Sequence, residues 1–368
     1  MVVRLALEAM RTRFEIVLLG RDQSRLVAAG EEALAEIEEC DARLSVFRAG
    51  SLLSLINREA AGRAVGVDQE TFALVRAAQR LHAQTEGAFD PTVGPLMKAW
   101  RLHGDERSAV AAESVQSARA CVGMHLVELD EQARTVRFAR EGVSLDLGGL
   151  AKGHALELAE RVLRRVGIGA GGESAMIHAG TSSVTAVGAP PGEPGWRVAI
   201  RPPRPPRPPL LPRAGHPGSN AGTGSGEGTG EDTAAHVRVG PGSINDGPEW
   251  SGPYPVVVLR DRSLSVSGVW GRVVESAQGV VHHIMDPRTG SSARGALLAG
   301  AVSPTGVEAE GVSTALVVLN RTPRGPMGWR DLVTIRHVAG REPAWEIEGA
   351  GADGVVYLCS SGGAGGRE

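Results

Sequence analysis

A proline- and glycine-rich block at residues 201–250 most limits how this chain can fold. Its fifty positions hold ten prolines and ten glycines, including three consecutive Arg-Pro-Pro triplets at 201–209. The first part predicts a stiff polyproline II rod, and the glycine-rich part predicts a flexible coil. The rod could serve as a docking ligand, but a solvated, disordered insertion is the simpler interpretation. The remaining 318 of the 368 residues are enough for one large core.

Charge and cysteine content exclude several classes of protein. The formal net charge is −3, whereas a nucleic-acid-binding protein usually has a strongly basic face. No apolar run approaches the roughly 18 residues needed to span a bilayer. The three cysteines (Cys40, Cys121 and Cys359) are far apart and have no metal-ligand spacing, so a disulfide framework is not expected. The N-terminus alternates like a strand and shows no signal peptide, which favours a cytoplasmic location.

Hydrophobic periodicity predicts a mixture of helices and strands. The predicted helices are 24–44, 68–83 with Asp68 as its N-cap, 151–166 ending at Gly167, and about 308–319. The predicted strands are 13–19, Val143–Leu147, Val256–Leu259, Leu264–Ser267, Val280–Met285 and Leu297–Val302. This order favours the α+β class, with sheets packed on helices.

The segment Gly167–Gly172 matches the dinucleotide-binding pattern G-x-G-x-x-G. That pattern binds a pyrophosphate only when a strand precedes it and a helix follows it. Here a predicted helix precedes it and a strand follows, so we interpret these glycines as a helix end.

The segment Asp146–Gly153 lies between a predicted strand and a predicted helix. A glycine-rich turn at a helix N-terminus presents backbone N–H groups to an anion, and Lys152 adds a positive charge. Only two of the 39 basic residues are lysines, Lys98 and Lys152. The alternative is a tight turn with a surface lysine, and the segment alone does not decide between the two.

His282 and His283 precede a turn that Pro287 and Gly290 define, within which Asp286 can bond the backbone. A histidine at such a corner could act as a general base. Either histidine could instead be a packed strand residue, and the motif alone leaves this open.

Glu310 and Thr314 lie four residues apart in a predicted helix and therefore share a face. A carboxylate and a hydroxyl provide oxygen ligands of the kind that Mg²⁺ prefers. A local contact between the two side chains is the simpler interpretation of the pair by itself. The loop at 85–95 has two prolines and two glycines, but by itself it names no ligand.

Taken together and in this order, the motifs resemble the ApbE-like flavin transferase family (FAD:protein FMN transferases). The matching segments are Met10–Thr12, Leu44–Phe47, Ser54–Asn57, Gly87–Leu96, Asp146–Gly153, Ser267–Gly268, His283–Gly290 and Glu310–Leu316. The resemblance implies a single α+β, T-fold-like domain over 1–368, interrupted by 201–250. It also implies transfer of FMN from FAD to a Thr or Ser hydroxyl of a target flavoprotein, with release of AMP.

The resemblance also implies a role for individual residues. His283 would be the catalytic base, and the main-chain carbonyl of Gly149 would bind Mg²⁺ together with Glu310 and Thr314. The residues that would line the FAD site are Met10, Phe47, Ala88, Phe89, Asp90, Asp146 and Lys152.

Four features depart from the family pattern. Glu310 replaces the usual metal-binding aspartate, Phe47 a common tyrosine, and Arg11 a glycine, while the segment 178–181 differs from an Asn-x-Gly-Gly type. Family members are also commonly exported. Two alternatives therefore stay open, namely an FAD pyrophosphatase that uses water as acceptor and a flavin-binding homologue without catalysis.

Overall fold

The computed structural model describes residues 1–102, 110–201, 236–239, 254–270, 273–276, 279–324, 329, 332–337, 345–349 and 356–359. The helices in these ranges are α1 (Gln23–Leu44), α2 (Leu52–Glu59), α3 (Gln69–Gln84), α4 (Gly94–Ala99), α5 (Ala112–Arg119), α6 (Gly148–Arg165) and α7 (Gly306–Leu319). None of the helices in this part of the chain is long and apolar enough to span a membrane.

The strands within the described ranges fall into five antiparallel sheets. An eight-stranded sheet has the order β1 (Val2–Ala9), β2 (Thr12–Leu19), β6 (Ser174–Ala179), β7 (Ser183–Val187), β11 (Arg262–Gly268), β16 (Leu298–Ser303), β17 (Val333–His337) and β18 (Trp345–Glu348). A four-stranded sheet has the order β19 (Val356–Cys359), β10 (Tyr254–Leu259), β8 (Trp196–Arg201) and β9 (His236–Val239). The small sheets are β3 (Val65–Gly66), β5 (Thr135–Phe138) and β4 (Val127–Asp130); β12 (Val273–Ser276) and β13 (Gly279–His282); and β14 (Met285–Asp286) and β15 (Ser291–Ser292).

The large sheet lies between a helical layer and the four-stranded sheet. Strand residues such as Phe14 and Ile177 join one buried cluster with the helix residues Leu163 and Leu316. The opposite face contributes residues such as Met176 to a second cluster shared with the four-stranded sheet. Because the strands are buried on both faces, each face supplies its own core, and the α+β class predicted from sequence is confirmed.

Most predicted helices form close to their expected limits. Asp68 caps α3 by accepting the Thr71 N–H at 2.9 Å. Helix α6 ends at Arg165, and Gly167 has φ +87°, a conformation that glycine adopts at low cost. The glycine pattern that follows is therefore a helix end, as predicted. The helix itself starts at Gly148, three residues before the expected position.

The prediction of a strand at Val143–Leu147 is wrong. Its alternating residues Val143, Leu145 and Leu147 are buried, but the segment pairs with no strand in the described residues. Instead, Asn57 forms two hydrogen bonds with Leu145, at 2.7 and 2.8 Å. A side chain distant in sequence thus satisfies the backbone groups that a neighbouring strand would have satisfied.

The strand predicted at Val280–Met285 is divided. Strand β13 ends at His282, and β14 begins at Met285, so His283 lies in the break between them. Ile284 turns inward, and its carbonyl accepts the Ala293 N–H at 2.9 Å. The break is what places His283 outside a regular ladder.

Of the predicted insertion at 201–250, residues 202–235 and 240–250 lie outside the described residues. Within it, His236–Val239 form β9, which pairs with β8 in the register Arg201 to His236. Strands β8 and β10 come from opposite sides of the insertion and pair directly.

Candidate active site

Near their N-terminal ends, α6 and α7 place a lysine beside a buried glutamate. The Lys152 Nζ lies 3.4 Å from Glu310 Oε1, and Glu310 is only 4% exposed. The helices approach closely because glycines meet at the crossing. A Cβ on Gly153 would lie 2.4 Å from the Gly306 carbonyl oxygen and 2.8 Å from Glu310 Cγ. No larger residue at 153 would fit without moving α7.

Several hydroxyl groups lie around Glu310 and the next turn of α7. Ser183 on β7 donates a hydrogen bond to Glu310 Oε1 at 2.5 Å. One turn along α7, the Thr314 hydroxyl lies 3.3 Å from that of Ser267 on β11. Ser313 bonds Ser267 at 2.8 Å and donates to the Glu310 carbonyl at 3.1 Å. Glu310 and Thr314, which the sequence predicts to act together, therefore face the same hydroxyl-rich part of the sheet.

The turn before α6 is fixed by its own aspartate and by the distant loop at 85–95. The Asp146 N–H donates to the Pro91 carbonyl at 2.7 Å, and Asp146 Oδ1 accepts the Gly148 N–H at 2.9 Å. Phe89 packs against the turn, since a Cβ on Gly149 would lie 3.3 Å from the Phe89 ring. The structure thus joins the loop at 85–95 to the segment that carries Lys152.

Asp90 holds its own loop together. Its carboxylate is almost fully buried and accepts hydrogen bonds from the Thr92 N–H and hydroxyl at 2.8 and 2.5 Å. The His82 Nδ1 lies 3.2 Å from Asp90 Oδ2. Burial lowers the pKa of His82, but the hydrogen bond and the charge of Asp90 outweigh burial, so this pKa lies above its usual value. The predicted contact of Asp90 with FAD stays a prediction.

The two adjacent histidines have different surroundings. His282 Nε2 lies 2.9 Å from the Ala293 carbonyl, and its backbone N–H donates to the Ser292 hydroxyl at 2.8 Å. Burial lowers the pKa of His282. His283 follows the end of β13 and is half-buried. These bonds make His282 a structural residue, and the role of His283 as a catalytic base stays a prediction.

The turn after His283 forms as the sequence predicts and contacts Trp100 at the end of α4. Asp286 accepts the Arg288 N–H at 3.0 Å and forms an ion pair with its guanidinium. Gly290 has φ +74°, and its carbonyl accepts the Trp100 indole N–H at 2.8 Å. Trp100 thereby links this turn to the end of α4.

The remaining predicted residues lie at the β1–β2 hairpin and after α1. Met10 and Arg11 both have positive φ, 51° and 62°, which gives a two-residue turn of a type that usually contains Asn-Gly. The Arg11 guanidinium lies 5.4 Å from the Phe47 ring centroid, and Phe47 is 57% exposed. Met10 packs on the same apolar cluster as Ala88, Phe89 and Ala151. Met10 and the loop residues therefore share one apolar cluster.

Sequence reasoning missed three residues that build the site. Asn57 belongs to a segment that the family resemblance covers, but the sequence assigned it no role. Ser183 and Trp100 act through contacts across the sheet and between loops. Only the alternation of Ser183 and Thr185 with apolar residues in a buried strand offered a signal for Ser183.

The model of the ApbE family matches residues 10–217 and 223–325. An FAD:protein FMN transferase of Rhodobacter capsulatus is 29% identical over 270 residues, which are 73% of this chain and 42% of that protein. A protein of the same name from Klebsiella pneumoniae (strain 342) is 24% identical over 319 residues, which are 85% of this chain and 77% of that protein. The chain thus matches less than half the length of the Rhodobacter relative.

Solved structures match over nearly the whole chain. The ApbE protein of Thermotoga maritima has a TM-score of 0.69 at 23% identity and covers 96% of this chain and 98% of its own. The apo form of the flavinyl transferase ApbE of Pseudomonas stutzeri has a TM-score of 0.69 at 21% identity, with 96% of both chains covered. At these identities the structures establish the fold.

Proposed function

Because this chain belongs to the ApbE family, we propose that it transfers FMN from FAD to a threonine or serine hydroxyl of a target flavoprotein and releases AMP. Its relatives in Rhodobacter and Klebsiella are named FAD:protein FMN transferases, which supports the proposal. The observation that carries it is the contact of Lys152 with Glu310, since it brings a cation and an oxygen ligand together at the start of α6.

The proposed reaction is a phosphoryl transfer. The acceptor hydroxyl oxygen would attack the phosphorus on the FMN side of the pyrophosphate, and the bond from that phosphorus to the bridging oxygen would break. AMP would leave with the bridging oxygen, and an imidazole nitrogen of His283 would take the hydroxyl proton. Lys152 and the N-terminus of α6 would offset the charge on the phosphates.

The flavin would bind beside the turn before α6, against which Phe89 packs. Ala88, Phe89 and Met10 belong to one apolar cluster, and Phe47 exposes a ring face for stacking. In this proposal Asp146 shapes the turn at the helix start, and Asp90 holds the loop that carries Phe89.

The oxygen atoms near Glu310 fit a magnesium ion. Among the described residues, no three His, Cys, Asp or Glu side chains form a group that could hold a metal ion, so the proposed site would have Glu310 as its single carboxylate. A site formed by the Glu310 carboxylate, the Thr314 hydroxyl and the Gly149 carbonyl has oxygen donors only, which suits Mg²⁺ completed by phosphate and water. Bound there, Mg²⁺ would withdraw charge from the pyrophosphate oxygens.

Chromatography of the nucleotides separates the three interpretations. The protein is incubated with FAD and Mg²⁺, with and without an acceptor flavoprotein, and the free FAD, FMN and AMP are measured. Transfer predicts that AMP appears only with acceptor and without free FMN. Free FMN and AMP formed without acceptor would indicate a pyrophosphatase, and FAD that binds but stays intact with acceptor would indicate loss of catalysis.

A further inference from the structure

Ser183 is a buried residue whose hydroxyl bonds the Glu310 carboxylate, and the proposed reaction assigns it no role. It starts β7, in the interior of the eight-stranded sheet, and is only 1% exposed. Its hydroxyl donates to Glu310 Oε1 at 2.5 Å, the same oxygen that lies 3.4 Å from Lys152 Nζ. One carboxylate oxygen therefore connects a strand, α6 and α7.

A buried glutamate needs such an anchor. Taking a carboxylate out of water is costly unless it is hydrogen-bonded or paired, and a glutamate side chain has several rotatable bonds that must be fixed. Lys152 is itself a flexible side chain and would be drawn toward bound phosphate. The serine side chain is short, and its backbone is held in a sheet, so it is the rigid member of the three.

We propose that Ser183 is a positioning residue that orients the Glu310 carboxylate toward Lys152 and toward the proposed metal position. This inference rests on the proposed function for its role in catalysis, although the contact itself does not. When Lys152 turns to the phosphates, the Ser183 hydrogen bond keeps Glu310 in place. Without it, Glu310 could follow the lysine or rotate away.

The scarcity of lysine makes the contact directly measurable. With only Lys98 and Lys152 in the chain, isotope-labelled lysine gives two side-chain NMR signals, and Lys98→Arg assigns them. Ser183→Ala should shift the Lys152 signal and leave the Lys98 signal unchanged. Ser263→Ala is the matched control, because Ser263 is also buried in the sheet but bonds the Thr185 hydroxyl at 2.8 Å.

A second measurement tests the metal position. Flavin fluorescence gives the Mg²⁺ concentration needed for half-maximal FAD binding. Loss of a hydrogen bond to a charged group should raise this concentration about tenfold in Ser183→Ala and leave it unchanged in Ser263→Ala. Ser183→Cys, which keeps most of the volume but is a weak donor, should behave like Ser183→Ala and covers the case that the alanine variant folds poorly.

Failure of the Ser183 inference can be distinguished from failure of the proposed flavin transfer. The lysine signals are recorded without FAD, metal or acceptor, so they report on Ser183 even if no flavin is ever transferred. A Lys152 signal that is the same in wild type, Ser183→Ala and Ser183→Cys would overturn the inference. Equal shifts in the Ser183 and Ser263 variants would also overturn it, because they would show a general effect on the sheet.

Discussion

At the scale of single residues, Lys152 occupies a position that arginine is poorly suited to fill. It lies at the crossing of α6 and α7, beside a buried carboxylate. Arginine carries a larger, planar and more weakly hydrated group, so it cannot occupy the same space at the same distance. The only other lysine, Lys98, is exposed on α4 and serves as a natural control.

We predict that Lys152→Arg lowers the rate of FAD use by about tenfold or more, because misplacing a charge near the reacting phosphate is costly. The measurement is the rate of AMP release with acceptor present. Lys98→Arg should retain the wild-type rate. Equal rates for Lys152→Arg and wild type would remove Lys152 from the proposed site.

The ion pair of His82 with Asp90 should make stability depend on pH. Because the pKa of His82 is raised in the folded state, its contribution is complete below the ordinary value of 6.5 and is lost as pH rises through the folded pKa. The free energy of unfolding lost in His82→Gln should therefore be larger near about pH 5.5 than near about pH 9.

His154 is the control for this pH dependence. Burial lowers its pKa to about 4, so in the folded protein it stays neutral over the same interval, whereas the unfolded chain binds a proton below the ordinary value of 6.5. Denaturant unfolding of His154→Gln should therefore show the opposite trend, with a smaller loss near about pH 5.5 than near about pH 9. A constant loss in His82→Gln would contradict the ion pair.

At the scale of elements, the distance between α6 and α7 is set by Gly153 and Gly306. Alanine in an exposed helix interior usually stabilises by about 1 kcal/mol relative to glycine. At 153, however, the added Cβ would lie 2.4 Å from a backbone carbonyl, which cannot move without the helix. The site depends on this contact because the residue directly before Gly153 on α6 is Lys152.

Gly153→Ala should therefore lower the free energy of unfolding by about 1–3 kcal/mol, the usual cost of overpacking, and weaken FAD binding. Denaturant unfolding and flavin fluorescence measure the two effects. Gly66→Ala is the control, since nothing lies within 4 Å of its added Cβ. A more stable Gly153→Ala variant would show that the helices can separate without cost.

Elements with local signals could be predicted from sequence, and elements that depend on distant partners could not. Helix α3 has its cap and its apolar spacing within one segment, so the sequence predicts both the helix and its Asp68 cap correctly. Residues 143–147 have the alternation of a strand, but Asn57 takes the place of a neighbouring strand. Periodicity reports which residues are buried and does not report what bonds the backbone.

At the scale of the whole molecule, residues 202–235 of the insertion join two strands, β8 and β9, that already pair with each other. Arg201 and His236 are direct partners in the β8–β9 ladder, so a two-residue Asn-Gly turn could replace residues 202–235. Each halving of a loop lowers its closure cost by about 0.6 kcal/mol. The shortened variant should therefore be at least as stable as wild type by thermal unfolding and should retain FAD use. Loss of FAD use in a stably folded variant would assign the insertion a role in the site.

The site as a whole was predictable only in part. The spacing of Glu310 and Thr314 placed both on one helix face, and the turn before α6 placed Lys152 near the helix start. The joining contacts come from tertiary structure, such as Ser183 with Glu310 and Trp100 with Gly290. A single sequence does not encode which strand faces which helix in any local pattern. The roles of His283 and Mg²⁺ and the cytoplasmic location stay predictions.

The intact mass of an acceptor flavoprotein, recorded after incubation with this protein, FAD and Mg²⁺, tests the central claim most directly. The account predicts an acceptor heavier by one FMN, absent when its acceptor hydroxyl is removed and strongly reduced with His283→Ala. That variant should still bind FAD by flavin fluorescence. An unmodified acceptor, in a reaction where the wild-type protein binds FAD and Mg²⁺ is present, would contradict the account.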